Sequence, residues 1–115
     1  MTTRSEELPK FKAEFFRALA HPVRVRILEA LVQGEHSVQE LQAALSLEQP
    51  VVSQQLAVLR GKNIVAARKE GTTVRYAVRD PLLGNLLDVA RRIFDNHLVG
   101  TQSLLRELRQ ERRRR

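Results

Sequence analysis

The residues best suited to chemistry lie between Gln49 and Arg60 and suit the reading of base edges. Gln54 can donate and accept at once, as bidentate pairing with adenine requires; Ser53 can do either at a base edge or a phosphate; Pro50 and Ala57 can touch a thymine methyl. Backbone amides near Gln49, at the start of that segment, favour a phosphate. Further along, Arg68, Lys69, Arg75 and Arg79 could straddle backbone phosphates or enter a minor groove, which positions a protein on DNA without reading sequence. From Arg60 to Arg79 six Lys or Arg residues stand against Glu70 alone. Taken singly, a polar helix face or a basic hairpin is also what a solvated surface shows; their adjacency favours DNA.

Total charge says less. The 115 residues carry a formal net charge of +7, but Arg112 to Arg115 supply four of those charges. With no cysteine, disulfides, thiolate metal sites and thiol redox switches are excluded. The stretch from Met1 to Lys10 has no apolar signal core, and no apolar run reaches the roughly 18 residues a bilayer span needs. The expectation is a cytoplasmic protein with no membrane partner. No nucleophile elbow, metal-hydrolase spacing or phosphate-binding glycine loop is present, so no enzymatic activity is expected.

The elements that must hold these residues follow from periodicity. Leu8, Phe11, Phe15 and Leu19 share one helix face, and His21-Pro22 interrupts it. A second helix begins at Pro22 with Val23, Ile27, Leu28 and Leu31 inward and Gly34 to end it; His21 is expected to cap it. Ser37 to Glu40 is a capping box opening a helix with Val38, Leu41 and Leu45 buried, while His36 is read as a loop residue. After a turn from Leu45 to Glu48, Val52, Leu56 and Leu59 form the apolar stripe of the Gln49–Arg60 helix, which Gly61 is expected to end. Alternation then predicts strands at residues 64–69 and 73–78 around Glu70-Gly71-Thr72. Beyond Asp80-Pro81, Leu82, Leu83, Leu86, Leu87, Ala90, Ile93 and Phe94 mark a last helix, with a break expected at Gly100 before Leu104, Leu105 and Leu108. Two short helices joined by a tight turn, the second outwardly polar, form a helix-turn-helix, and the hairpin is its wing. The fold class is mainly α with a small β-hairpin (α+β). The expected organisation is a flexible segment over residues 1–9, the winged helix-turn-helix domain over 10–99, and a helical extension with a basic tail over 100–115. Apolar helices left over at both ends of so short a chain favour a dimer.

Three motifs in order, the run from Phe15 to Leu28 with Ala20-His21-Pro22-Val23-Arg24 at its centre, Gln49-Pro50-Val51-Val52-Ser53-Gln54-Gln55-Leu56, and Arg68-Lys69-Glu70-Gly71 with Tyr76, resemble the ArsR/SmtB family of bacterial winged-helix repressors and sensors, over roughly Phe11 to Ile93. The resemblance implies a homodimer at an inverted repeat in double-stranded promoter DNA. Its DNA contacts would come from Gln49, Pro50, Ser53, Gln54, Gln55, Ala57, Arg60, Arg68, Lys69, Thr72 and Arg75. Phe11, Phe15, Leu83, Leu86, Leu87, Ala90, Ile93 and Phe94 would form the dimer interface, and an effector or regulatory protein partner would alter the separation of the two recognition helices. Gln55 stands where many members have His, and Glu48 where Ser or Thr usually caps. Ser37 and Gln39 replace the cysteines of soft-metal sensors, and of the last-helix metal ligands only the first is matched, by Asp80, with Leu82, Ile93 and Asn96 at the others. Nickel or zinc binding would need another nitrogen and oxygen set, Asp95 and His97 joined by Asp88 or by residues of the partner chain. The alternative reading is a winged-helix adaptor that binds proteins without specific DNA recognition.

Overall fold

In the computed structural model, which describes residues 4–114, the helices that start at Pro22 and Val38 carry side-chain caps. Residues 1–3 of the expected flexible segment and Arg115 of the basic tail lie outside the described residues. Helix α1 (Arg4–Leu19) begins inside that segment. Helix α2 (Pro22–Leu31) takes Pro in its first turn, where the missing N–H leaves no bond unmade, and His21 caps it as expected, its Nδ1 accepting from the Val23 amide at 3.1 Å. Strand β1 (His36–Ser37) leads directly into α3 (Val38–Leu45). The capping box forms: Ser37 Oγ accepts from the Glu40 amide at 3.2 Å, and the Glu40 carboxylate accepts from the Ser37 amide at 2.8 Å.

The turn to α4 (Gln49–Gly61) is three residues long, with Ser46 in the left-handed region at φ 54°. Arg26 of α2 donates to the Leu45 carbonyl, satisfying an acceptor at the C-terminal end of α3 that the helix cannot. At the far end of α4 the sequence expectation is corrected. Gly61 is the last helical residue, and Asn63 takes the left-handed position at φ 59°. The Ile64 amide returns to the Leu59 carbonyl and the Asn63 amide to that of Arg60, each at 3.0 Å, the pair of bonds of a Schellman motif. Asn is the second choice after Gly for that backbone.

Strands β2 (Val65–Glu70) and β3 (Thr73–Val78) form the predicted hairpin, closed by Gly71 at φ 63° and Thr72. Positive φ at the first of two turn residues is where a type II′ turn takes glycine. The sheet has a third strand that periodicity could not reveal. β1 pairs antiparallel with β3, His36 opposite Tyr76 and Ser37 opposite Arg75, giving the order β1-β3-β2. His36 is thus a strand residue, its Nδ1–H donating to the Gly34 carbonyl at 2.8 Å.

The chain divides into two compact units, one ending at Pro81 and the other formed by α5 (Leu82–Arg114). In the first, Ile27, Leu28 and Leu31 of α2, Leu41 of α3, Val52, Leu56 and Leu59 of α4, and Ile64 and Val65 form a buried core under the sheet and helices. On α1, Ala18 is buried, while Phe11, 74% exposed, and Phe15 leave an uncovered aromatic face. In the second unit α5 runs unbroken through Gly100, against the expected break. One glycine costs a helix about 1 kcal/mol, which a helix of 33 residues can absorb. Asp88 pairs with Arg91 at 3.1 Å and Arg92 at 2.8 Å along its surface.

Candidate nucleic-acid interface

Burial of Val52, Leu56 and Leu59 fixes the rotation of α4, and helical geometry then turns the opposite side outward. Gln49, Pro50, Gln54, Ala57 and Arg60 are all exposed along that side, and Ser53 is half-buried at its edge. Gln49 Nε2 donates to Ser53 Oγ at 2.7 Å, one turn apart, so these two side chains are ordered together. Gln55 is set apart from this group. It lies on the α2 side, half-buried, where its Oε1 accepts from Arg24 Nε at 2.8 Å; Arg24 also donates to the Ala18 carbonyl at 3.3 Å. Arg24 therefore ties α1, α2 and α4 together through the residue expected to touch DNA. Glu48 makes no side-chain cap to α4, as its departure from Ser or Thr implied.

Beside α4 runs a groove of about 460 Å³ lined by Ser53, Leu56, Ala57, Arg60 and Gly61 of the helix and Tyr76 of the wing. Strand alternation and register decide which wing residues face it. Tyr76 pairs with Ala67, Val74 with Lys69 and Val78 with Val65, so these six share Tyr76's face. Arg68 pairs with Arg75, Ala66 with Ala77 and Glu70 with Thr73 on the other. The cations expected to act together, Arg68, Lys69 and Arg75, are thus divided between two faces. Thr72, at the turn, is exposed.

Two guanidiniums directly opposite one another would repel, and the fold answers with carboxylates drawn from elsewhere in the chain. Arg68 lies 2.7 Å from Glu35 and 3.2 Å from Glu70. Arg75 reaches Glu40 at 3.1 Å, Glu35 at 3.6 Å and Glu70 at 3.7 Å, and donates to the Glu35 carbonyl at 3.1 Å. The hydrogen bond from Arg68, with the charges of Arg68 and Arg75, holds the Glu35 carboxyl below the usual carboxylate range against the opposing effect of desolvation. Glu40 is lowered too, first by the Ser37 amide and then by Arg75. Arg68 is raised in turn by Glu35. On this face three carboxylates therefore meet two guanidiniums, and Arg68 and Arg75 no longer add to the positive excess read from the sequence. Glu35 and Glu40 lie far from the wing in sequence, and only the β1–β3 pairing brings them there.

Of the residues expected at a dimer interface, Phe11, Phe15, Ile93 and Phe94 are exposed, Leu86, Leu87 and Ala90 half-buried, and Leu83 is already buried within one chain, with little surface left for a partner. The metal donors do not converge. Asp95 and His97 are two residues apart, about 200° around the helix. Asp88 is engaged by Arg91 and Arg92, and among the described residues no group of three or more His, Cys, Asp or Glu could hold an ion. Nor, among those residues, is any helix long and apolar enough to cross a membrane.

Residues 21–67 match the model of the family described as bacterial regulatory protein, arsR family. The chain is 46% identical over 106 residues to an uncharacterized HTH-type transcriptional regulator of Mycobacterium tuberculosis, Rv0081, covering 91% of this chain and 93% of that protein. It is 40% identical to the biofilm growth-associated repressor of Agrobacterium fabrum, over 71% of this chain and 70% of that one. Among solved structures, the crystal structure of Rv0081 superposes with a TM-score of 0.75 over 82% of this chain and 95% of that one. The homodimeric winged helix-turn-helix DNA-binding domain of Mb0332 from Mycobacterium bovis, 30% identical, also gives 0.75, over 85% and 91%.

Proposed function

This chain belongs to the arsR family of bacterial regulatory proteins and is a winged helix-turn-helix DNA-binding transcriptional regulator, and on that footing we propose that it acts as a homodimer whose two α4 helices read an inverted repeat in promoter DNA. The observation that carries this reading is the outward row Gln49, Pro50, Gln54, Ala57 and Arg60 above buried Val52, Leu56 and Leu59. In this reading Ser53 and Gln54 read base edges, and the wing contacts flanking backbone. The exposed Phe11 and Phe15 on α1, with Ile93 and Phe94 on α5, are large apolar surfaces that a second protomer would cover. A relative solved as a homodimer supports the same assembly. Two-fold symmetry then sets the recognition helices about 34–36 Å apart, one turn of DNA.

Several relatives are named as repressors, including one from Agrobacterium and a probable mercury resistance operon repressor of Streptomyces lividans, which supports promoter blocking as the mode of action. The protein works by binding, without catalysis, and in the cytoplasm where its promoter lies. An effector, metal or protein, acts by changing the separation of the α4 helices. Nickel or zinc would need ligands from both protomers, because Asp88, Asp95 and His97 do not converge within one chain. No observation favours the adaptor reading.

The test is a titration of the purified protein against a fragment upstream of its own operon and an unrelated duplex. Gln54→Ala should weaken binding to the promoter fragment about ten-fold or more, the loss of a bidentate base contact, and leave the unrelated duplex unchanged. Equal weakening on both would remove Gln54 as a reader.

A further inference from the structure

We propose that the two faces of the wing divide its work: DNA phosphates are held on the face turned to α4, by Arg60, Lys69 and Tyr76, while Arg75 on the opposite face is a positioning residue that fixes the wing to the helix-turn-helix. The inference rests on the DNA-binding reading above and deepens it.

Register supplies the first argument. Lys69 and Tyr76 share one face of the β2–β3 ladder, and Tyr76 lines the groove with Arg60 and Ser53. The side chains of Arg60, Lys69 and Tyr76 make no hydrogen bond or ion pair among the described residues, so a cation and a phenol stand ready in the groove beside the recognition helix, and a second cation, Lys69, lies one step further along Tyr76's face of the wing. A groove of about 460 Å³ bounded by that helix on one side and a strand on the other matches a segment of sugar-phosphate backbone in kind. Its apolar lining, Leu56 and Ala57, suits the sugar, and its rim of Arg60 and Tyr76 suits the phosphate.

Arg75 is placed otherwise. Its side chain is 25% exposed against 55% for Arg68, and its donors are spread over Glu35, Glu40 and Glu70 and the Glu35 carbonyl. Those partners belong to the segment before β1, the first turn of α3 and the end of β2, so one guanidinium joins the wing to the start of the helix-turn-helix. Handing Arg75 to a phosphate would break these contacts and leave Glu35 and Glu40 beside another anion. Both effects oppose the exchange. A fixed wing, by contrast, presents Lys69 and Tyr76 to the backbone at a set distance from α4 without further loss of freedom on binding.

The experiment measures affinity by anisotropy across a salt series, with the full-length protein, the promoter fragment and an unrelated duplex. Arg60→Met and Lys69→Met should each flatten the slope of log affinity against log salt by about 0.9 for every phosphate no longer neutralised, about 1.8 if both protomers of a dimer contribute. Tyr76→Phe should weaken both duplexes about five-fold with the wild-type slope, since a neutral hydrogen bond releases no counterion. Arg75→Met should weaken both duplexes and keep the wild-type slope. Arg75→Lys should fall nearly as far, because lysine keeps the charge but not the planar fork that reaches several partners. The proposal is overturned if Arg75→Met flattens the slope while Arg75→Lys binds as wild type does, or if Arg60→Met and Lys69→Met leave the slope unchanged. The last outcome is decisive even if Arg75→Met fails to fold, as Arg60 and Lys69 are exposed. Wild-type protein with no preference for its promoter fragment would overturn the reading of function itself, and the proposal with it.

Discussion

Replacing Ser37 with alanine isolates one bond at the junction of sheet and helix-turn-helix. Ser37 is the N-cap of α3, 5% exposed, and its Oγ accepts from the Glu40 amide at 3.2 Å. Losing such a cap costs about 0.5–2 kcal/mol. The long bond argues for the lower half of that range, while burial, which keeps water from replacing the lost acceptor, argues upward; the expected loss is about 1–1.5 kcal/mol. The reciprocal bond, from the Ser37 amide to Glu40 at 2.8 Å, survives this change and can be removed separately. Glu40→Ala removes it, together with the ion pair to Arg75, and should lower stability. Glu40→Gln keeps an acceptor for the Ser37 amide and forfeits mainly the ion pair with Arg75, and should cost less than Glu40→Ala. Urea denaturation at one fixed protein concentration, as a dimer requires, gives the three values. The reasoning fails if Ser37→Ala lies within about 0.5 kcal/mol of wild type, the scatter of an uninvolved surface position, or if Glu40→Gln costs as much as Glu40→Ala.

Asn63 holds a left-handed backbone at φ 59°, so Asn63→Gly should stabilise the fold by about 0.5 kcal/mol and Asn63→Ala destabilise it by about 1 kcal/mol; equal urea midpoints for the two would contradict the Schellman assignment. Acid should loosen the wing. Glu35 and Glu40 have carboxyls lowered in the folded chain, so their stabilisation is complete above the unfolded carboxyl value, about 4.3, and is lost as pH falls below that through the depressed folded values. Glu35→Gln should flatten the acid limb of Tm against pH below about 4.3, and a limb parallel to wild type would show that the Glu35 pairs contribute nothing.

What the sequence disclosed was local. His21-Pro22, the Ser37 and Glu40 pair, and Gly71 at the hairpin turn each act within four residues of the backbone they shape, and each stands where local chemistry places it. The rotation of α4 was equally legible, because three buried aliphatics fix it. What stayed hidden depended on distant pairing. A strand of two residues has no period, so β1 could be found only from its partner. The carboxylates that engage Arg68 and Arg75 arrive with that strand, and counting charges along Arg60 to Arg79 could not include them. Gln55 differs from expectation for the same reason, since Arg24, thirty-one residues earlier, holds its amide. At Gly61 and Gly100 a residue rule was outweighed by context: the left-handed position fell two residues after Gly61, and a long helix carried Gly100.

The pairing of His36 with Tyr76 also sets an order of assembly. It closes a loop of about forty residues, whereas the turns joining α2, α3 and α4 and the β2–β3 hairpin are local. Chain entropy delays such closures, so the helices and the hairpin can form first and the short β1–β3 ladder zips last. The same ladder, only two residue pairs long, is the natural first point of opening in the folded protein. Amide hydrogens at its register should then exchange before those of the helical core, and that opening would part His36 and Ser37 from the wing while leaving Val65 in the core and the recognition helix seated on Val52, Leu56 and Leu59.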